Sequence, residues 1–145
     1  MAWFTGMTGF SGDGRTPGAR ELADAAYVSL LTWRRSGKAV ATPVWCAADG
    51  DDYFIFSAGE AGKVKRVRAG STAALALCDV RGRLASGYAP ADARILTSAT
   101  DIARALSALR RKYGWQMGVA DLLSRCTGRF ARRAYLAVRL RSEPA

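Results

Sequence analysis

The chain has 145 residues, half of them hydrophobic, and its 22 Lys and Arg against 12 Asp and Glu give a formal net charge of +10 at pH 7. This length predicts a single domain with a sizeable core. The charge favours anionic partners such as phosphorylated or polycarboxylate small molecules, acidic membranes or nucleic acid. Because the chain has no histidine, Ser-His-Asp catalysis and histidine-based metal sites are excluded.

Cysteine usage and hydropathy predict a cytoplasmic protein without a structural metal. Cys46, Cys78 and Cys126 are isolated from one another and form no Cys-x-x-Cys pair, which argues against a zinc site or a disulfide framework. No run approaches the ~18 apolar residues of a membrane span, and the N-terminus lacks the pattern of a signal peptide. We expect a flexible N-terminal arm over residues 1–20, one domain over 21–141 and a tail over 142–145.

The first half of the domain has the spacing of consecutive β-hairpins. A short helix is predicted over residues 20–26, followed by strands over 27–33, 39–46 and 53–57 that are rich in β-branched and aromatic residues. Gly37 lies in the first turn, and an Asp-Gly turn precedes the third strand. The spacing predicts an antiparallel meander of three strands.

The second half mixes helices with three further strands. We expect a helix over residues 62–69, strands over 73–79 and 93–97, a helix capped by Ser98 or Thr100, a short helix over 119–124, and a last strand over 135–141. The strand over 73–79 is rich in small residues and is predicted to be central. About six strands, mostly antiparallel, favour a barrel over a parallel sheet.

A cationic segment follows the third predicted strand. Ser57 and a glycine-broken turn lead into a predicted helix that carries Lys63, Lys65, Arg66 and Arg68, with Val64 and Val67 on its apolar face. Free N–H groups at a helix start bind anions, phosphate above all. The segment therefore predicts a phosphate site, and the alternative is a solvated helix face.

Two further segments have the composition of a pocket wall. Thr42, Pro43, Val44 and Trp45 place a proline in an apolar strand, which indicates a sheet edge, a bulge or a ligand-facing position. Trp33 and Trp45 offer flat surface for a planar heterocycle, although aromatic residues in strands usually belong to the core. Tyr113 and Trp115 interrupt the long helix and form either a packing joint or part of the wall.

Three segments together resemble a known family: residues 27–38, residues 41–45 and residues 62–68. In order and spacing they are similar to the pyridoxamine-phosphate-oxidase-like family of flavin- and deazaflavin-binding split β-barrels, and more closely to its coenzyme F420-associated branch. Residues 110–116 and 121–125 also resemble that branch.

The resemblance implies a mainly β fold with helices, a six-stranded antiparallel split β-barrel of the FMN-binding type. It implies a homodimer with coenzyme F420, or alternatively FMN, at the subunit interface, and no dedicated catalytic side chain. It places the strand of residues 42–45 along the ring and the basic helix at the phosphate or the acidic tail, with a weaker part for Arg34 and Lys38. The cofactor-binding set is then Thr42, Pro43, Val44, Trp45, Ser57, Lys63, Val64, Lys65 and Arg66, and the substrate pocket is Trp33, Tyr113 and Trp115.

Three functions remain open on the sequence. The first is an F420- or FMN-dependent oxidoreductase that transfers a hydride to a small unsaturated substrate, and the second is a non-catalytic flavin or deazaflavin carrier. Residues 82–92 lack the bulky strand start expected of the family, which leaves the substrate side open. The third is a nucleic-acid or acidic-surface binder. The arrangement of the basic residues argues against it, because they form no known reading motif and have no interleaved stacking aromatics.

Overall fold

The computed structural model describes residues 15–58, 67, 72–114, 116 and 133–141. Within these residues the chain forms two helices and seven strands. Val67 and Gln116 are also helical, but their neighbours lie outside the described residues. The helices are α1 (Ala19–Asp24) and α2 (Ala99–Tyr113). The strands are β1 (Val28–Trp33), β2 (Ala39–Val44), β3 (Ala47–Asp49), β4 (Asp52–Ala58), β5 (Thr72–Leu77), β6 (Ala89–Ile95) and β7 (Arg133–Leu140).

All seven strands belong to one antiparallel sheet in the order β2-β1-β5-β6-β7-β4-β3. The strands at the two ends of this order, β2 and β3, are separated in the chain by only Trp45 and Cys46. Because consecutive Cα atoms are about 3.8 Å apart, the two ends of the sheet must lie close together. The sheet is therefore curled into a barrel whose seam runs along the segment between β2 and β3.

Side chains that alternate along the strands fill the barrel and cover its outside. Leu30, Ile55, Leu75, Leu136 and Val138 are at most 1% exposed and belong to the main core inside the curled sheet. The alternate residues of β4 and β7 face outward, where the apolar side of α2 packs on them in a second cluster. A third cluster lies on the outer face of β1 and β5, beneath Tyr88.

The predicted antiparallel barrel with helices is confirmed, with two corrections to its strands. Seven strands are present where six were expected, because β3 occupies part of the segment assigned to a turn. The three-strand meander is wrong: β1 and β2 form a hairpin, but β4 pairs with β7 and β3. After Val44 the chain crosses the seam, so β3 and β4 lie at the end of the sheet order opposite β2.

Several other predictions concern particular segments. The strand β5 lies between β1 and β6, away from both ends of the sheet, as expected. The strand predicted from residue 93 begins at Ala89 and includes Pro90. Of the predicted helix over residues 62–69 only Val67 is described; it is helical and packs in the main core. The predicted helix over 119–124 lies outside the described residues.

The described end of the predicted N-terminal arm contacts the domain. Pro17 is buried, and the carbonyl of Arg15 accepts a hydrogen bond from the Gly87 N–H over 2.8 Å. In the described part of the chain, no helix is long and apolar enough to cross a membrane. The same residues contain no cluster of three cysteine or carboxylate side chains able to hold a metal ion.

Candidate cofactor site at the barrel seam

Among the described residues, no strand pairs with the outer edge of β2, and the register of β2 decides which backbone groups line this open edge. The Arg34 N–H donates to the Lys38 carbonyl over 2.9 Å, so this pair of residues stands at a hydrogen-bonded position of the hairpin. Antiparallel pairs alternate between hydrogen-bonded and non-hydrogen-bonded. Counting along the register from Trp33–Ala39 to Val28–Val44, the backbone groups of Ala39, Ala41 and Pro43 point away from β1. The open edge therefore offers amide donors and carbonyl acceptors around a single proline.

Pro43 fits this edge because its missing N–H faces away from β1. It pairs with Ser29 at a non-hydrogen-bonded position, so no ladder bond is lost. The loop after β5 approaches it from the outer face: a Cβ added at Gly82, where φ is +87°, would lie 3.7 Å from Pro43 Cδ. A glycine is favoured there by its positive φ. The edge thus has a wall on one side formed by the loop.

An aromatic group closes the seam where β2 ends. The ring of Trp45 stacks on Tyr113 with centroids 4.5 Å apart and planes 9° apart. Phe56 of β4 meets Trp45 edge-on at 6.0 Å. Such pairs stabilise each other by about 0.5–1.5 kcal/mol beyond the area they bury. One end of α2 and both sides of the seam are therefore joined through Trp45.

Two residues at the end of α2 bind the backbone of the seam. The Tyr113 hydroxyl accepts a hydrogen bond from the Cys46 N–H over 2.9 Å and lies 3.0 Å from the Ala26 carbonyl, to which it can donate. The Lys112 ammonium donates to the carbonyls of Ala25 and Cys46. These hydrogen bonds join the end of α2 to the α1–β1 connection and to the seam.

Burial shifts the pKa values of the titratable groups at the end of α2 and at the seam. Desolvation raises the pKa of the Tyr113 hydroxyl and of the Cys46 thiol, the latter to about 12. Desolvation also lowers the pKa of Lys112. The Tyr113 hydroxyl and the Cys46 thiol therefore stay protonated and uncharged at neutral pH. Beside Lys112 a cleft of about 460 Å³ opens between α1, β3 and α2.

The predicted ring-side residues lie together on β2 and at the seam. Thr42 is half-buried and pairs with Leu30, so it faces the barrel interior. Val44 is buried in the main core. Trp45 is half-buried in the aromatic group. Of these residues, Pro43 is exposed and Trp45 is half-buried at the edge.

The other predicted site residues are separated or undescribed. Trp33 packs in the cluster on the outer face of β1 and β5, whereas Tyr113 packs in the cluster under α2, so these two residues are not brought together. Ser57 lies in β4 opposite Ala134 of β7, at the end of β4 that leads toward the basic segment. Lys63, Val64, Lys65, Arg66 and Trp115 lie outside the described residues.

One charged cluster was not predicted from the sequence. The Asp52 carboxylate is 1% exposed, and Arg94, Arg104 and Arg139 converge on it at 3.7, 3.1 and 3.2 Å. In the last strand Arg139 alternates with apolar residues, a pattern that indicates a charged side chain on the outer face of the sheet. The sequence gives no sign that this row meets Asp52, because the pairing of β7 with β4 joins residues far apart in the chain.

Solved structures share this architecture, while neither a protein-family model nor a curated protein sequence matches the chain. HutZ, the heme storage protein from Vibrio cholerae, aligns with a TM-score of 0.64 at 8% identity, over 85% of this chain and 87% of that one. An F420 reductase aligns with a TM-score of 0.51 at 17% identity, over 87% of this chain and 96% of that one.

A putative pyridoxamine 5'-phosphate oxidase from Listeria innocua aligns with a TM-score of 0.54 at 12% identity, over 85% of this chain and 90% of that one. Likeness at such identities establishes the fold, and function must be argued from the site. The three alignments cover 85–87% of this chain. The chain therefore has the split β-barrel fold of the pyridoxamine 5'-phosphate oxidase-like proteins.

Proposed function

We propose that this protein binds a flavin-type cofactor, coenzyme F420 or alternatively FMN, and acts as an oxidoreductase on a small unsaturated substrate. The observation that carries the proposal is the open edge of β2, where the backbone of Ala41 and Pro43 faces outward beside Trp45. The fold supports it, since an F420 reductase and a pyridoxamine 5'-phosphate oxidase share it. When bound, the cofactor supplies the hydride-transfer chemistry.

The role of the described residues is to bind and orient a ring. An edge strand presents alternating donors and acceptors, which suits the polar edge of a planar heterocycle. Ala39, Ala41 and Pro43 have small or compact side chains, so a ring can approach the backbone closely. Trp45 is held in place by its stack on Tyr113, so the end of the edge is rigid.

The phosphate end of the cofactor is assigned to Lys63, Lys65 and Arg66, together with Ser57. The strand β4 runs directly into this segment, and Val67 at its far side packs in the main core. The residues on both sides of the segment, Ala58 and Val67, thus belong to the barrel. A homodimer with the cofactor between subunits belongs to the same proposal.

The alternative is a cofactor carrier that catalyses no reaction. Residues 82–92 lack the bulky strand start expected of the family, which leaves the substrate side of the site open. HutZ, which shares the fold, is described as a heme storage protein. Hemin therefore belongs among the ligands to be tested.

Titration of the purified protein with F420, FMN and hemin, followed by fluorescence, tests the proposal. We expect saturable micromolar binding of F420 or FMN. Oxidation of the bound reduced cofactor by a panel of enones, quinones and tetrapyrroles then separates an enzyme from a carrier. Binding of neither F420 nor FMN, or binding of hemin alone, would contradict the flavin-type assignment.

The phosphate assignment makes a separate prediction. The double variant Lys63→Ala/Lys65→Ala is expected to weaken cofactor binding by about 1–3 kcal/mol, the range for lost hydrogen bonds to charged groups. The double variant Arg20→Ala/Arg110→Ala removes the same charge at two exposed positions and serves as the control. Equal weakening in both variants would mean that net charge, and not a phosphate site, sets the affinity.

A further inference from the structure

A row of charged side chains crosses the outer face of the sheet, away from the seam. The register places Asp52 of β4 opposite Arg139 of β7, and Arg139 opposite Asp92 of β6. In the next outward row Ala137 lies between Phe54 and Arg94. Because Ala137 is small, the side chain of Arg94 reaches across it toward Asp52.

Three arginines share the buried carboxylate of Asp52. Arg104 binds two of the three aspartates at the β3–β4 turn: its Nε donates to Asp49 Oδ2 over 2.8 Å, and its Nη1 donates to Asp52 Oδ2 over 3.1 Å. Asp52 Oδ1 then faces two guanidinium groups, Arg139 at 3.2 Å and Arg94 at 3.7 Å. Asp49 and Asp52 therefore meet three arginines, while the third aspartate of the turn, Asp51, is exposed.

Arg94 and Arg139 share one oxygen of Asp52 and keep free donors. Their side chains are 51% and 60% exposed. Among the described residues, each has Asp52 as its acidic partner, and a guanidinium has five N–H donors. Asp92 does not compete for them, since its two carboxylate oxygens accept from Arg141 over 3.0 and 2.8 Å.

A cleft of about 440 Å³ lies between these two arginines and is lined by Asp92, Ala93, Arg94, Ala137 and Arg139. This volume is within the range of small-molecule sites. Paired guanidinium forks match the geometry of phosphate and carboxylate oxygens. We propose that this cleft binds the phosphate or carboxylate group of a small-molecule anion between Arg94 and Arg139.

This site is separate from the cofactor site proposed above. Asp52 begins β4, whereas the basic segment of residues 62–68 follows its other end at Ala58. At about 3.3 Å per residue, the length of β4 places Ala58 about 20 Å from Asp52. The cleft also lies on the outer face of β6 and β7, three or more strands from the edge of β2.

The experiment uses the Lys63→Ala/Lys65→Ala variant as background, so that the predicted phosphate segment does not contribute. Inorganic phosphate and tricarballylate are titrated at constant ionic strength, with calorimetry for stoichiometry and the guanidinium Nε–H signals in NMR for location. We expect one site per chain, with shifts of the signals of Arg94 and Arg139. Preference for one probe identifies the anion as phosphate or carboxylate.

Two variants with the same loss of charge decide the assignment. Arg94→Gln/Arg139→Gln is expected to weaken binding at least tenfold, and Arg81→Gln/Arg83→Gln, in the exposed loop after β5, less than twofold. The charge-conserving variant Arg94→Lys/Arg139→Lys keeps the ion pairs, and its loss of anion affinity is expected to lie between those of the two glutamine variants. Absence of saturable binding, or equal losses in the two glutamine variants, would overturn the proposal. Failure of F420 and FMN to bind would leave it unaffected.

Discussion

Tyr113 shows how one side chain serves packing and hydrogen bonding at once. Its ring stacks on Trp45, while its hydroxyl accepts from the Cys46 N–H in a place where water has little access. The sequence suggested Tyr113 as either a packing joint or a pocket wall. The contacts described favour the joint, because the hydroxyl is occupied by backbone groups of the seam.

Replacement of Tyr113 by phenylalanine should separate these two roles. The stack is retained, but the buried Cys46 N–H loses its acceptor. We expect a loss of about 1–3 kcal/mol in the free energy of unfolding, the cost of an unsatisfied buried donor. Chemical denaturation measures it. Tyr27→Phe, at a half-buried residue, is the control, and an equal loss there would refute the role of the hydroxyl.

Glu21 gives the protein a pH-dependent contact at its described N-terminal end. Hydrogen bonds from Arg15 and from the Gly18 N–H lower the pKa of its carboxyl from 4.5 to about 2. A lowered pKa in the folded state stabilises the fold above pH 4.5, and this contribution is lost as the pH falls from 4.5 toward 2.

We therefore expect Glu21→Gln to melt at a lower temperature than the parent at pH 7, with the difference closing between pH 4.5 and 2. The effect is small because the ion pair is exposed. Thermal unfolding across that pH range measures it. Arg15→Ala removes the same ion pair from the other side and should give a similar pH profile. A constant difference across the range would contradict the assignment.

Among the elements, the helix α2 begins where its sequence indicates. Ser98 is the N-cap, and its hydroxyl accepts from the Asp101 N–H over 3.1 Å; Arg110, Arg111 and Lys112 occupy the last turn. The apolar residues spaced i, i+3, i+4 and i+7 along this helix, Ile102, Ala105, Leu106 and Leu109, pack on the sheet. Local rules suffice here because capping and periodicity depend on neighbours within one or two turns.

The cap makes a prediction confined to this element. Ser98→Ala should lower the free energy of unfolding by about 1 kcal/mol, since the N–H of Asp101 loses its partner. Ser107→Ala, on the exposed side of the same helix, should be neutral or slightly stabilising, because alanine has the higher helix propensity. Comparison of the two by urea denaturation is the test. A loss in Ser107→Ala as large as in Ser98→Ala would contradict the capping role.

The strands show where local reasoning stops. The hairpin of β1 and β2 followed from the turn at Gly37, which has a φ of +90° as such a turn requires. The pairing of β4 with β7 could not be predicted in this way, because β7 lies about 80 residues later in the chain and no turn connects the two strands. The short β3 was not predicted, because three residues beside an Asp-Gly turn are too few to show the alternation of polar and apolar residues that indicates a strand. Sheet order, and with it the cluster around Asp52, depends on those long-range pairings.

At the scale of the whole molecule, the seam between β2 and β3 decides whether the sheet keeps its curl. The sheet order provides no strand pair across this seam in the described residues. Its position is fixed instead by Trp45 and by the hydrogen bonds of Lys112 and Tyr113 to the backbone of Cys46. The proposed ring-binding edge of β2 ends at this seam, so its geometry depends on the same contacts.

Lys112→Met tests that dependence, since methionine keeps much of the apolar stem and removes the ammonium donors. We expect a loss of about 1–3 kcal/mol in stability and faster amide hydrogen exchange at Cys46 than in the parent. The exposed neighbour Arg111→Met removes the same charge without touching the seam and should change neither. Weaker cofactor binding in Lys112→Met alone would link closure of the barrel to the ring-binding edge. Unchanged exchange at Cys46 in Lys112→Met would show that the aromatic stack and Tyr113 hold the seam without the lysine.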